Sequence, residues 1–310
     1  MMSILAIDFG GTRTRAAWYD SELNQLARTE TLSRVNDTAE EVITRIIQTA
    51  QAVIPPGQQP SSICIAAPGP LDPHRGLIRH AKTLPGWKDI PLVQIIRDAC
   101  HNAPTIIEND ANLAALAEHA YGSARGCDPA IYLTISTGIG GGAIINGKLF
   151  TGWSGLAIEP GHTRFTLPDG SIRRLEELAS GTGIATLARQ RLETSNQPSI
   201  LRAHTQVDAK LVGEAARNGD VLAQSIIREA GHWLGLGCVN LLHLFSPQVI
   251  VVGGSVSSLG EMFFGPAQAT IAEQILDPAF VPENLIRPAQ LGEDVCLMGA
   301  ALLARQHISA

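Results

Sequence analysis

Two segments of this chain share one layout: an apolar strand, a glycine-rich turn that carries hydroxyl side chains, and a second apolar stretch. They are ILAIDFGGTRTRAAW at residues 4–18 and IYLTISTGIGGGAII at residues 131–145. Glycine lets the backbone approach a ligand closely, so that its N–H groups can bind an anion such as phosphate. The doubled layout therefore predicts two similar α/β lobes, with an anionic ligand bound in the cleft between them.

The composition favours a globular protein with a sizeable core, since 45% of the 310 residues are hydrophobic and 17% are charged. The formal net charge of -6 argues against a nucleic-acid-binding surface. No apolar run is long enough to span a membrane, and the first strand begins too early to leave room for a signal peptide. Five scattered cysteines without a CxxC pair indicate reduced thiols, so we expect a cytoplasmic protein.

Hydrophobic periodicity predicts the order of helices and strands. Helices are predicted over 38–53, 91–101, 111–121, 175–192, 210–218, 221–245, 261–276 and 297–306, the fourth of them interrupted at 181–183. Strands are predicted over 4–9, 16–20, 62–67, 105–108, 131–135, 142–145, 248–252 and 285–288. Asp37 is the predicted N-cap of the first helix, and Asn146-Gly147 the turn of a hairpin.

Two common phosphate-binding motifs are disfavoured. The run from Gly138 to Ala143 fits G-x-G-x-x-A, but a dinucleotide site requires a helix directly after the turn, and GAIINGKLF predicts a hairpin. A P-loop pattern does not occur in the sequence. Tight hairpins without a ligand are the alternative explanation for both glycine runs.

Asp8 directly precedes the first glycine turn. A carboxylate beside a phosphate is repelled unless a cation lies between them, so Asp8 indicates Mg²⁺. The alternative is that Asp8 accepts hydrogen bonds from the amides of the turn.

Taken together, the motifs and their order resemble the ROK family of sugar kinases, within the actin-like and hexokinase-like superfamily. The matching segments are Asp8–Thr12 (D-x-G-G-T), Pro68–Pro70, Leu84–Trp87, Glu108–Asn112 (E-N-D-A-N), Thr137–Gly142, Glu159–His162 (E-x-G-H) and Gly253-Gly254. The resemblance implies an α/β fold of two actin-like, RNase H-like lobes with a central cleft. Residues 1–115 plus 299–310 would form the sugar and phosphate lobe, and residues 116–298 the lobe for nucleotide binding and dimerisation.

The resemblance further implies that ATP, with Mg²⁺, phosphorylates a hexose hydroxyl, most often O6 of glucose. Asp110 matches the general base, because a carboxylate within hydrogen-bond reach can orient a hydroxyl and accept its proton; its alternative role is a helix N-cap. The implied sugar contacts are Gly69, Thr83, Asn109, Asp110, Glu159, His162 and Glu176. The implied nucleotide contacts are Asp8 (through Mg²⁺, directly or through water), Gly10, Gly11, Thr12, Arg13, Thr137, Gly138, Gly140, Gly253 and Gly254.

The chain departs from the family pattern at the zinc loop, C-x-C-G-x-x-G-C-x-E. Leu167, Asp169 and Arg174 stand where cysteines are usual, so we expect no zinc. His162 then loses a zinc anchor, and Arg164 or a backbone carbonyl is expected to fix its ring instead. Thr83 also replaces the family's asparagine, which bears on the identity of the sugar.

Glucose phosphorylation is the main prediction, and an N-acylhexosamine kinase or a fructokinase is the alternative among enzymes. A sugar-sensing regulator is the alternative of a different class. Regulators of the family carry an N-terminal helix-turn-helix, whereas this chain begins at the first strand and keeps the general base and both phosphate turns. A non-catalytic sugar-binding relative is the remaining alternative. The expected partners are the hexose, ATP and a second copy of the chain.

Overall fold

The computed structural model describes residues 2–79, 84 and 86–309. They divide into two compact units. The first consists of Met1–Gly122, Leu149–Ala157 and Leu291–Ala310, and the second of Ser123–Lys148 and Ile158–Gln290. Residues 116–122, 149–157 and 291–298 thus group with the first unit, although the sequence-based boundaries assigned them to the second.

The described residues form both strands and α-helices, numbered here in chain order. The strands are β1 Ile4–Phe9, β2 Arg13–Tyr19, β3 Gln25–Leu32, β4 Ser62–Ala67, β5 Leu71–Asp72, β6 Leu77–Ile78, β7 Thr105–Asn109, β8 Ala130–Ile135, β9 Ile139–Ile145, β10 Lys148–Leu149, β11 Arg164–Thr166, β12 Ile172–Arg174, β13 Val249–Gly253 and β14 Ile286–Pro288. The α-helices are α1 Ala39–Gln51, α2 Leu92–Ala99, α3 Asp110–Tyr121, α4 Leu175–Ala179, α5 Gly181–Thr194, α6 Ala209–Arg217, α7 Val221–Phe245, α8 Glu261–Gln274 and α9 Val295–Ser309.

The two large sheets, one in each unit, share a topology. In the first unit the strand order is β3-β2-β1-β4-β7, and in the second it is β10-β9-β8-β13-β14. In each, the first long strand pairs antiparallel with the next strand along the chain, and parallel with a later one on its other side. This repeated order confirms the predicted pair of similar α/β lobes.

The first sheet is covered on both faces, which follows from the alternation of side chains along a strand. On one face Leu5 and Ile7 of β1 pack in an apolar cluster with Val42 and Ile46 of α1. On the other face the even-numbered residues of β1 pack against α3 and α9, in a cluster formed by Ile4, Ala6, Ala17, Tyr19, Cys64, Ala66, Leu113, Leu297, Ala300, Ala301 and Ala304. Asp8 continues this even-numbered series, so it lies on the α3 and α9 side of the sheet.

Two local predictions need correction. The N-cap of α1 is Thr38 and not Asp37: the Thr38 hydroxyl accepts from the Glu41 amide at 3.3 Å, and the Glu41 carboxylate accepts from the Thr38 amide at 2.9 Å. Asp37 instead forms an ion pair with Arg45. The interruption of the helix over 175–192 falls at Ser180, whose hydroxyl caps α5 by accepting from the Gly183 amide at 3.1 Å.

No helix in the described part of the chain is both long and apolar enough to cross a membrane.

Candidate functional site

The first glycine turn joins β1 to β2 and is held by hydrogen bonds within the turn and from Ser33. Gly10 N–H donates to the Arg13 carbonyl at 2.9 Å, and Ser33 N–H donates to the Thr12 carbonyl at 2.9 Å. The Ser33 hydroxyl donates to the Gly10 carbonyl at 2.6 Å. Gly11, Thr12 and Arg13 are exposed. With the carbonyls of Gly10, Thr12 and Arg13 accepting hydrogen bonds, the exposed stretch from Gly11 to Arg13 can present backbone amides to an anion.

Asp8 is the most perturbed carboxylate of this region. Its residue is only 6% exposed, and Arg15, its partner across the β1–β2 pair, donates from Nη1 to Oδ2 at 3.1 Å. Burial raises the pKa of Asp8 to about 6; the Arg15 charge opposes this shift and the Asp110 charge adds to it. Asp8 and Asp110 are therefore close enough to interact electrostatically.

Asp110 is held at the junction of β7 and α3. Asn109 is the N-cap of α3, and its Oδ1 accepts from the Ala111 amide at 2.9 Å. Asp110 itself is half-buried, and its Oδ1 accepts from the Ala111 amide at 2.8 Å. The N-cap role considered for Asp110 thus belongs to Asn109.

Glu108, the residue before Asn109, stabilises this junction through hydrogen bonds. It is buried, and its Oε1 accepts from the Asn109 amide at 2.8 Å and from Asn112 Nδ2 at 3.0 Å. Burial raises the pKa of Glu108, although the hydrogen bonds from Asn112 and Asn109 oppose the shift. Hydrogen bonds within the E-N-D-A-N segment therefore fix its backbone, and Asp110 is its middle residue.

The second glycine turn is shorter than predicted. Only Ser136, Thr137 and Gly138 lie between β8 and β9, and Gly140 sits within β9 opposite Thr134. The glycines that follow serve packing. A Cβ on Gly141 would lie 2.8 Å from Pro160 Cγ, and the absence of one lets the short 3-10 helix over Pro160–His162 rest on the strand.

The start of α5 and Glu176 hold this second turn. Gly181 N–H donates to the Ser136 carbonyl and Thr182 Oγ1 to the Thr137 carbonyl, each at 2.7 Å. Glu176 Oε2 accepts from the Ile139 amide at 3.2 Å. The sugar contact expected of Glu176 stays a prediction, and the structure places this side chain directly against the glycine turn.

His162 and Glu159 stand at either end of the 3-10 turn, where His162 N–H donates to the Glu159 carbonyl at 3.2 Å. Both side chains are exposed. Arg174, rather than the expected Arg164, lies beside the ring, with its Nη1 3.4 Å from His162 Nδ1. Partial desolvation raises the pKa of Glu159; His162 opposes the shift and Glu176 adds to it.

The remaining predicted residues fall at strand ends. Gly253 ends β13, and Gly254 follows it with φ +86°, so close to β8 that a Cβ would lie 2.4 Å from the Ile135 carbonyl oxygen. Gly69 lies half-buried between β4 and β5. Thr83 is outside the described residues, as is Pro85 of the predicted sugar loop. Trp87 of that loop is buried and stacks on Phe9, with 5.2 Å between the ring centroids.

Two arginines were not predicted to contact site residues: Arg15 beside Asp8, and Arg174 beside His162. Arg15 could have been found, because strand pairing through a tight turn sets Asp8 opposite it. Among the described residues, no three His, Cys, Asp or Glu side chains form a group that could hold a metal ion.

Known proteins are similar to this chain over nearly its whole length. A family model described as the ROK family matches residues 4–307. The glucokinase of Thermotoga maritima is 29% identical, over 99% of this chain and 98% of that protein. The N-acetylmannosamine kinase of Shigella boydii serotype 18 is 33% identical, over 98% and 99%. A crystal structure of a ROK family glucokinase from Streptomyces griseus, in complex with glucose and AMPPNP, superposes with a TM-score of 0.80 at 33% identity, covering 98% of this chain and 99% of that one.

Proposed function

The chain belongs to the ROK family, and on that basis we propose that it transfers the γ-phosphate of ATP to a hexose hydroxyl, with glucose as the main substrate. The observation that carries this proposal is the placement of Asp110, a half-buried carboxylate fixed at the start of α3 by the Asn109 cap and the Glu108 frame. The relatives named glucokinase, and the Streptomyces griseus glucokinase solved with glucose and AMPPNP, support the choice of substrates.

Asp110 acts as the general base. A sugar hydroxyl is a weak nucleophile, and a fixed carboxylate can orient it and take its proton as the phosphoryl group is transferred. Asp110 Oδ1 accepts from the Ala111 amide, which holds the carboxyl group in place before substrate binds. That preorganisation lowers the cost of positioning, which is the main contribution a protein makes to this reaction.

The proposed phosphate contacts of the first glycine turn are Gly11, Thr12 and Arg13, and Gly10, whose N–H is bonded to the Arg13 carbonyl, lines that turn. Those of the second glycine turn are Thr137 and Gly138, with Gly140 next to them in β9. Gly253 and Gly254, at the end of β13, flank the adenosine. Gly254 lies so close to Ile135 that it has no room for a side chain. This supports the assignment, because the end of β13 then carries no side chain there that would obstruct a nucleotide.

Asp8 fits a Mg²⁺ ion that accompanies ATP. Carboxylate oxygen is the donor that Mg²⁺ prefers, and one or two carboxylates plus phosphate oxygens are its usual protein site. The pKa of Asp8 is raised by burial and by the charge of Asp110, which is the electrostatic situation that a nearby cation relieves. When bound, Mg²⁺ would neutralise phosphate charge, while Arg15 holds the Asp8 carboxylate in place.

Sugar recognition falls to side chains that can bond paired hydroxyls. Glu159, His162 and Glu176 would supply two carboxylates and an imidazole. Gly69, Asn109 and Asp110 are further proposed sugar contacts, as is Thr83, which lies outside the described residues. The cap on α3 uses Asn109 Oδ1, so its Nδ2 is the group that would donate to a hydroxyl.

N-acetylmannosamine is the second candidate substrate, because the Shigella boydii N-acetylmannosamine kinase is 33% identical to this chain. We further propose a homodimer in the cytoplasm, without zinc; sedimentation and metal analysis of the purified protein test the first and last of these.

A coupled ADP-release screen tests the proposed substrate directly. Wild-type protein is assayed with ATP, Mg²⁺ and, in turn, glucose, N-acetylglucosamine, N-acetylmannosamine, mannose, fructose and allose. We expect the highest kcat/KM with glucose. A higher value with N-acetylmannosamine would transfer the assignment to the second candidate, and turnover with none of the sugars would refute a kinase of this substrate class.

A further inference from the structure

Arg174 is the last residue of β12 in the second unit, at the end of the β11–β12 hairpin. The hairpin pairs Arg164 with Arg174, and its end is fastened where Leu175 N–H donates to the Thr163 carbonyl at 2.9 Å. The hairpin therefore returns the chain to the residue that follows His162. Its sequence between His162 and Arg174 contains no cysteine.

The Arg174 side chain is held on one side by Glu177. The Glu177 carboxylate accepts from the Arg174 backbone amide at 2.8 Å and from Arg174 Nε at 3.2 Å. A guanidinium group is planar and rigid, so fixing Nε also fixes the direction of its terminal nitrogens. Only 29% of the Arg174 side chain is exposed, which is consistent with a fixed position.

One terminal nitrogen of Arg174, Nη1, faces two of the proposed sugar contacts. Arg174 Nη1 lies 3.4 Å from His162 Nδ1 and 3.5 Å from Glu176 Oε1. Glu176 in turn accepts from the Ile139 amide through its other oxygen. One arginine thus connects the imidazole, the carboxylate and, through Glu176, the second glycine turn.

This contact has a chemical consequence for His162. Arginine can only donate hydrogen bonds, so Nδ1 must act as the acceptor, and a neutral ring then carries its proton on Nε2. The Nε2–H group becomes a donor of fixed direction for a sugar oxygen. Glu176 is likewise held as an acceptor for a sugar hydroxyl.

We propose that Arg174 is a positioning residue for sugar binding, which sets the tautomer and direction of His162 and the orientation of Glu176. The inference rests on the proposed function, since it assumes that these two side chains contact the sugar. It assigns to Arg174 the anchoring of His162, and it assigns specificity for the sugar hydroxyls to a group that does not touch the sugar.

The test compares Arg174→Met, which removes the donors and keeps an apolar stem, with Arg173→Met. Arg173 is exposed and adjacent on the same short strand, so its side chain points to the opposite face, and its loss removes the same charge. Loss of hydrogen bonds to a charged donor predicts a rise of about 10-fold or more in KM for glucose in Arg174→Met. KM for ATP should change by less than about threefold, and Arg173→Met should match wild type in both constants.

A second readout reports the ring itself. Long-range ¹⁵N–¹H correlation spectra near pH 9, well above the ordinary histidine pKa of about 6.5, give the tautomer of His162, with the resonance assigned from a His162→Gln sample. Wild type should show Nδ1 as the unprotonated nitrogen, and Arg174→Met should show a mixture. Arg174→Lys keeps one donor and should recover part of the glucose affinity; it carries the test if Arg174→Met does not fold.

Equal glucose KM values for Arg174→Met and Arg173→Met would overturn the inference, as would a His162 tautomer that does not respond to loss of Arg174. The tautomer measurement requires no sugar. If wild type phosphorylates no sugar, the proposed function fails, and the spectra still decide whether Arg174 orients His162.

Discussion

Replacement of Gly254 by alanine tests the close approach of β13 to β8. Gly254 has φ +86° and ψ 168°, a conformation that other residues rarely adopt and that costs them about 1–3 kcal/mol. A Cβ there would also lie 2.4, 2.6 and 2.7 Å from the O, C and N atoms of Ile135. These are backbone atoms of a central strand, so relieving the overlap adds about 1–3 kcal/mol. The total destabilisation should be about 2–6 kcal/mol.

Gly260 offers a matched control in the same unit. It also has positive φ, at +58°, but a Cβ would meet nothing within 4 Å. Gly260→Ala should therefore incur only the conformational cost, and calorimetry should show Gly254→Ala unfolding about 2–12 °C below it. KM for ATP should rise only in Gly254→Ala. Equal unfolding temperatures would refute the claim that packing against Ile135 requires glycine at this position.

Two further predictions concern the first unit. Because burial raises the folded-state pKa of Glu108 above the ordinary 4.5, its contribution to stability is present below that pH and is lost as pH rises through the folded value. Glu108→Gln keeps an acceptor for Asn112, so in urea unfolding it should gain stability relative to wild type as pH rises, and a constant difference would contradict this. Gly299→Ala should lower the free energy of unfolding by at least about 1–3 kcal/mol, because its Cβ would lie 2.0 Å from the Leu113 carbonyl oxygen. Gly265→Ala, whose Cβ meets only Glu261 Oε2 at 3.7 Å, should not destabilise, and equal effects would contradict the packing argument.

Apolar patterns predicted most strands of the two large sheets, at least in part, but neither β10 nor β3. The reason is clearest for β3. Each residue of its sequence, QLARTETL, is exposed or half-buried, and none is fully buried. It lies at the end of the strand order, and among the described strands it pairs with β2 alone. An edge strand of this kind is stabilised by backbone pairing to its neighbour, and that pairing leaves no hydrophobic signal in its own sequence.

The glycine run from Gly140 to Gly142 shows where local pattern fails. Sequence indicated one long phosphate turn, whereas the structure uses these residues as a strand on which Pro160 and Gly161 rest. A Cβ on Gly161 would lie only 2.1 Å from the Ile139 carbonyl oxygen. Glycine at these positions reflects a contact between segments about twenty residues apart, which a local motif does not report.

The anchor of His162 could not be identified from sequence for a similar reason. Arg164 and Arg174 are both close in sequence and pair directly across the hairpin. Which of them faces the imidazole depends on the hairpin turn and on the hydrogen bond from Arg174 Nε to Glu177. Both are properties of the folded chain. By contrast, the hydrogen bonds around Asp110 are local, because Glu108, Asn109 and Asn112 of one short segment supply them.

The most direct test of the account is the turnover of Asp110→Asn. Asparagine keeps an oxygen that can accept from the Ala111 amide, as Asp110 Oδ1 does at 2.8 Å, so α3 and the substrate sites should be preserved. We expect calorimetry to show that glucose and ATP still bind, while kcat falls at least about 10²-fold because the proton acceptor is lost. Turnover at the wild-type rate would contradict the assignment of Asp110 as general base.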